Sequence, residues 1–132
     1  MSSETLDSSS IVEDIMSKTL ISVNPSTTVL QIAKMMEQGG IGAVLVKEND
    51  AHVGIVTDRD FATKIAANSL PFDTPSEKVM SSPLVTIIHT ESISDASKVM
   101  SSKKIRKLAV TNNGIIVGII TSTDIVNHFS QT

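Results

Sequence analysis

The pattern of apolar and polar positions predicts the same series of elements twice. The series opens with a short apolar stretch rich in β-branched residues, "TLISV" early in the chain and "PLVTI" later, which predicts a strand. A helix follows. Val29, Ile32, Ala33 and Met36 recur at helical spacing, and Thr28 with Gln31 fits a capping box at its start. Ser92 and Asp95 stand at the matching place in the second series. Gly39 and Gly40 are suited to end the first helix. Two more apolar runs come next, "GAVLV" and "HVGIV", and their counterparts are "KLAV" and "IIVGII". Asn49-Asp50 and Asn113-Gly114 separate the runs in each pair, and both are hairpin-turn dipeptides. A last helix begins near Asp58 in one series and near Ser122 in the other, with Phe61, Ile65 and Ala66 on its expected inner face in the first. Each series therefore reads β-α-β-β-α.

The two series are one unit written twice. A shift of 64 residues aligns residues 11–64 with 75–128 without a gap. The identities include Glu13/Glu77, Met16/Met80, Ser17/Ser81, Lys34/Lys98, Met36/Met100, Ile41/Ile105, Val53/Val117, Gly54/Gly118, Thr57/Thr121 and Asp60/Asp124. Most other positions exchange one aliphatic residue for another. Two copies are too few for a solenoid, so the repeat predicts a pseudo-symmetric pair. The expected division is a disordered tail over 1–10, a first repeat over 11–68, a linker over 69–74 and a second repeat over 75–130.

Composition narrows the function classes. At 132 residues the chain can form one compact domain or two small halves. Cysteine is absent, which excludes disulfides and thiolate metal sites. The polar, acidic N-terminus lacks the apolar core of a secretory signal, and a cytoplasmic location is expected. Net charge is −3, with three Phe and no Trp or Tyr, so neither an electrostatic case nor a stacking platform for nucleic acid exists. No apolar run approaches the roughly 20 residues that span a bilayer, so no membrane partner is expected. His52, His89 and His128 are scattered without ligand spacing, so no metal site is expected. No serine stands in a nucleophile elbow, and no acid–base pair suggests catalysis or a cofactor.

The repeated Thr-x-x-Asp, Thr57 to Asp60 and Thr121 to Asp124, is the candidate chemistry. At a strand-to-helix junction Thr is a good N-cap, and a carboxylate three residues later can reach back to the cap N–H. The same arrangement can also hold a ligand. Free N–H groups at a helix start attract anions, a Thr hydroxyl can bond a phosphate or ribose oxygen, and an ionised Asp can accept from a vicinal diol. The glycine inside the preceding strand permits close backbone approach.

"HVGIVTDRDF" and "IVGIITSTDI", each preceded by a helix and the strand "IGAVLV" or "IRKLAV", resemble the two halves of a CBS-domain pair, also called a Bateman module. The resemblance covers about residues 11–129. It implies an α/β (α+β) fold in which two pseudo-symmetric β-α-β-β-α repeats pack through their sheets. It also implies two clefts for adenine-containing ligands such as AMP, ADP, ATP or S-adenosylmethionine, with an Asp on the ribose. A homodimer built through helical faces and an effector protein that reads the bound state are implied as well.

Carried over by position, the first cleft would use Thr57, Arg59 and Asp60 with Leu84, Val85, Ile105, Arg106 and Lys107. The second would use Thr121, Thr123 and Asp124 with Leu20, Ile21, Ile41, Gly42 and Ala43. Arg59, Arg106 and Lys107 make the first set cationic, so it is expected to favour a phosphorylated nucleotide. The second is expected to take a less charged ligand or none. The family often has a Leu-Pro-Val run where this chain has Leu108-Ala109-Val110. "KKIRK", Lys103 to Lys107, reads equally as a solvated basic patch. A non-catalytic adenosyl-ligand sensor is the leading reading. The alternative is a structural or protein-interaction module whose clefts are vestigial, and nucleic-acid binding through the basic patch ranks below both.

Overall fold

A computed structural model describes residues 10–130. The expected disordered tail lies outside the described residues except for Ser10, which is held in place. Its carbonyl accepts from the Ile93 N–H, and its Oγ lies 3.5 Å from His128 Nε2. The chain divides into two compact units. Residues 21–84 form the central unit, and residues 10–20 with 85–130 form the terminal unit.

In the central unit β1 (Ser22–Val23) runs parallel to β2 (Ala43–Glu48), joined by α1 (Val29–Gly39). A parallel pair needs such a crossover. Thr28 caps α1 as expected, since its side chain accepts from the Gln31 N–H and the Gln31 side chain accepts from the Thr28 N–H. Gly40 ends it in the left-handed region at φ 62°, where glycine carries no Cβ penalty. β2 turns back into antiparallel β3 (Ala51–Thr57) through Asn49 and Asp50, both at positive φ, as a two-residue type I′ hairpin requires. Then α2 (Asp58–Asp60) runs into a π-helical turn over Phe61–Ala66. Val23, Val29, Ile32, Val44, Val46, Val56, Ile65 and Val79 form the core. Ala66, expected on the inner face, is exposed, because π winding rotates it away from the spacing that a regular helix would give.

The terminal unit repeats this plan. β4 (Thr86–Ile88) is parallel to β5 (Lys107–Asn112), with α3 (Ile93–Lys103) between them, and β6 (Ile115–Thr121) is antiparallel to β5. α4 (Ser122–Ser130) closes it as a regular helix. Ser92 caps α3 by accepting from the Asp95 N–H. The core is Val12, Ile87, Ile93, Ala96, Met100, Leu108, Val110, Ile120 and Ile125.

Each unit is completed by the opening segment of the other sequence copy. In the central unit Ser76 is fully buried, yet its Oγ donates to Asn24 O (2.7 Å) and Pro25 O (3.0 Å), so the hydroxyl is satisfied. Ser81 and Ile55 then exchange backbone hydrogen bonds of 2.8 and 3.1 Å. In the terminal unit Val12 donates to Glu91 O, and Ser17 pairs with Ile119 at 2.9 and 3.0 Å. The strand glycines admit these segments. A Cβ at Gly54 would stand 2.6 Å from Met80 Sδ, and one at Gly118 would stand 2.5 Å from Met16 Sδ and 2.7 Å from Ser17 O. The close approach expected at these glycines is thus made by the chain itself.

His52 lies opposite Lys47 across the β2–β3 ladder, and its Nε2 is 3.2 Å from Ser22 Oγ. Burial, and then the Lys47 charge, hold its pKa below the ordinary value of 6.5. The unfolded chain therefore takes up a proton first as pH falls. Stability supported by neutral His52 is complete above pH 6.5 and declines as pH drops through that value towards the lowered folded one. Denaturation midpoints measured from pH 7.5 to 5.5 should show this decline in the wild type and a smaller one in His52→Gln.

Candidate functional site

The two Thr-x-x-Asp segments sit at equivalent strand-to-helix junctions, β3 to α2 and β6 to α4. In both, the carboxylate reaches back to the cap. Asp60 Oδ2 accepts from the Thr57 N–H at 2.8 Å, and Asp124 Oδ2 accepts from the Thr121 N–H at 2.9 Å. Thr121 Oγ1 returns the bond by accepting from the Asp124 N–H at 3.0 Å. These bonds fix both carboxylates beside the start of their helices.

The surroundings of the two carboxylates differ. Asp60 is only 4% exposed. Besides the Thr57 N–H, its Oδ2 accepts from Thr57 Oγ1 at 3.3 Å. Its Oδ1 accepts from Ser81 Oγ at 3.2 Å and pairs with Lys64 Nζ at 3.1 Å. Lys64 Nζ also donates to Val79 O (2.9 Å) and Ser81 Oγ (3.3 Å). Asp124 is half-buried, and its carboxylate takes the Thr121 N–H as its one hydrogen bond among the described residues. Lys64 and Ser81 lie outside the Thr-x-x-Asp motif. The i, i+4 spacing of Asp60 and Lys64 was a visible signal. Ser81 had none, because only the fold brings it there.

The other expected residues divide between the units. Thr57, Arg59, Asp60 and Leu84 belong to the central unit, whereas Val85, Ile105, Arg106 and Lys107 belong to the terminal one. The second set divides likewise, with Thr121, Thr123, Asp124 and Leu20 in the terminal unit and Ile21, Ile41, Gly42 and Ala43 in the central one. Within the central unit, Gly42 O accepts from the Asp58 N–H, and Ala43 pairs with Thr57. Within the terminal unit, Arg106 O accepts from the Ser122 N–H, and Lys107 pairs with Thr121. Ile21 O accepts from the Leu45 N–H, and Val85 O from the Ala109 N–H, so both residues flank the parallel ladders. Ile41 and Ile105 pack on the cores of their own units, while Arg59, Arg106 and Thr123 are exposed.

The duplicated junction and the β-α-β-β-α order agree with what known proteins share. The model of the CBS domain matches residues 12–67 and again 76–131. The chain belongs to the CBS-domain family. The CBS domain-containing protein YhcV of Bacillus subtilis is 35% identical over 123 residues, spanning 92% of this chain and 88% of that one. A conserved protein of Pyrococcus horikoshii superposes with a TM-score of 0.86 at 27% identity, covering 91% of this chain and 92% of that one. The CBS domain pair of protein MJ0100, solved in complex with 5′-methylthioadenosine and S-adenosyl-L-methionine, gives a TM-score of 0.82 at 27% identity over 92% of this chain and 97% of that one. The chain is thus a CBS pair with mixed α/β architecture. Among the described residues, no helix is long and apolar enough to cross a membrane.

Proposed function

We propose that this CBS pair is a non-catalytic cytoplasmic regulatory module that binds an adenosyl ligand at a Thr-x-x-Asp junction. AMP, ADP, ATP and S-adenosylmethionine are the candidate ligands. The observation that carries the reading is the duplicated junction, where a carboxylate is anchored by the cap N–H beside the first turn of a helix. Such a carboxylate suits a ribose diol, and a helix start favours an anionic group. The complex of a similar CBS pair with two adenosyl compounds supports the choice of ligand class. Within the terminal unit Arg106 and Lys107 stand beside the Thr121 junction, and their cations would favour phosphate oxygens over a neutral group. Binding would be read by an effector protein, and it acts as a switch only if the ligand prefers one state of the module.

Thermal melting against AMP, ADP, ATP, GTP, NADH and S-adenosylmethionine tests this reading. A ligand at about 100 times its dissociation constant stabilises the fold by about 2.7 kcal/mol, or roughly 10 °C in a domain of this size. One adenosyl ligand should give such a shift. No shift with any of them would favour the second reading, a structural or interaction module whose junctions only cap helices. The internal saturation of Asp60 is the observation on that side.

We also propose a homodimer in which the exposed Val126 and Phe129 of α4 are covered. Val126→Glu should then sediment as a monomer where the wild type sediments as a dimer. A monomeric wild type would remove this proposal.

A further inference from the structure

We infer that the two junctions are unequal, and that the diol of an adenosyl ligand is taken by Asp124 while Asp60 is a structural carboxylate. The inference rests on the adenosyl-binding reading above and says which copy of the motif serves it. A carboxylate has about four acceptor positions, two on each oxygen. All four of Asp60 are filled from within the protein: the Thr57 N–H and hydroxyl on Oδ2, and the Ser81 hydroxyl and Lys64 ammonium on Oδ1. A ribose could bond Asp60 only by displacing one of them, including a charge-assisted partner. Among the described residues Asp124 receives the Thr121 N–H alone, so Oδ1 and half of Oδ2 remain for two incoming hydroxyls.

Two sequence differences accompany this inequality. The position equivalent to Lys64 is His128. Its ring does not engage Asp124. Nε2 faces Ser10 Oγ at 3.5 Å, and the ring packs edge-on against Phe129 at 5.4 Å. The second difference acts through the serine. Ser17 is the equivalent of Ser81, and its Oγ accepts from the Thr19 N–H at 3.3 Å. Pro83 stands where that donor would be in the central unit, and proline has no N–H. The Ser81 hydroxyl donates to Asp60. The chain therefore keeps one motif as an open acceptor and closes the other on itself.

Charge follows the same division. Asp60 is neutralised by Lys64 at 3.1 Å, whereas no basic side chain pairs with Asp124 among the described residues. The Asp124 carboxylate is thus open to a pair of hydroxyl donors, which the vicinal diol of a ribose supplies and a 2′-deoxyribose does not.

Titration calorimetry of the full chain with AMP and with 2′-deoxy-AMP, repeated for Asp124→Asn and Asp60→Asn, tests the inference. Wild type should bind AMP about 10- to 100-fold more tightly than 2′-deoxy-AMP, the range expected for a hydrogen bond to a charged acceptor. Asp124→Asn should lose a similar factor for AMP and no longer distinguish the two ligands. Asp60→Asn, assayed well below its own melting temperature, should keep both the affinity and the discrimination. Loss of AMP binding in Asp60→Asn with binding retained in Asp124→Asn would overturn the inference and leave adenosyl binding standing. Should Asp60→Asn fail to fold, Lys64→Met serves in its place, and a rise in AMP stoichiometry from one to two on Lys64→Met would equally support closure of Asp60 by its lysine. Wild type that binds neither AMP nor S-adenosylmethionine would overturn the adenosyl-binding reading itself, and the inference with it.

Discussion

Asp60→Ala should destabilise the fold by about 2–3 kcal/mol, and Asp124→Ala by about 1 kcal/mol, although the two residues occupy equivalent positions in a repeat. The smaller value is that of an ordinary helix cap. Removing Asp124 strips one acceptor from the Thr121 N–H, which can turn to water at a half-buried junction. Removing Asp60 leaves the Thr57 N–H, the Ser81 hydroxyl and Lys64 without their shared acceptor at a site 4% exposed. Breaking a buried ion pair can cost more than this. Lys64, however, has a side chain 40% exposed and keeps Val79 O as an acceptor, so solvent lowers the penalty. Urea denaturation of both variants in one buffer measures the difference. Equal losses would mean that Lys64 and Ser81 contribute nothing at Asp60.

Gly118→Ala should be the other severe substitution, costing about 2 kcal/mol or more, with Gly54→Ala costing less. Overpacking of a filled site typically costs 1–3 kcal/mol. At Gly54 the nearest atom is the Met80 thioether, which can rotate, and the nearest backbone atom is Ser81 O at 3.0 Å. At Gly118 the added Cβ also meets the Ser17 carbonyl at 2.7 Å. That carbonyl accepts the Ile119 N–H, so moving it breaks the hydrogen bond that ties the opening segment to β6. Melting temperatures of the two alanine variants should fall in that order, by roughly 5–10 °C for Gly118→Ala. Similar melting temperatures for Gly118→Ala and wild type would mean that the segment is not packed on β6 at this glycine.

Local chemistry made much of the fold legible in the sequence. Thr28 with Gln31 and Ser92 with Asp95 announced helix starts, and Asn49-Asp50 and Asn113-Gly114 announced the hairpins at positive φ. Each signal acts over a few residues, so a linear reading can find it. The exchange of opening segments acts over long range. Comparing the copies fixed the period of the repeat but not its phase, so nothing indicated that Met80 packs at Gly54 and Met16 at Gly118. The expected strands "TLISV" and "PLVTI" shorten to Ser22–Val23 and Thr86–Ile88, because only their ends reach the parallel ladder. The π winding of Phe61–Ala66 was invisible for a similar reason, since apolar spacing there fits a regular helix nearly as well.

The candidate site was legible as a motif and not as a state. Thr57, Asp60, Thr121 and Asp124 stood out by repetition, and their mutual bonds follow from cap chemistry. Whether each carboxylate is open depends on residues 64 and 81 in the central unit and on residues 128 and 17 in the terminal one. Ser81 donates its hydroxyl to Asp60, whereas its equivalent Ser17 accepts from the Thr19 N–H.

Equilibrium dialysis of the wild-type chain against labelled AMP and S-adenosylmethionine, with GMP as control, tests adenosyl binding most directly. Saturable uptake of at least one adenosyl compound, with no saturable uptake of GMP, is the predicted result. Uptake of none of the three, or equal uptake of AMP and GMP, would contradict it.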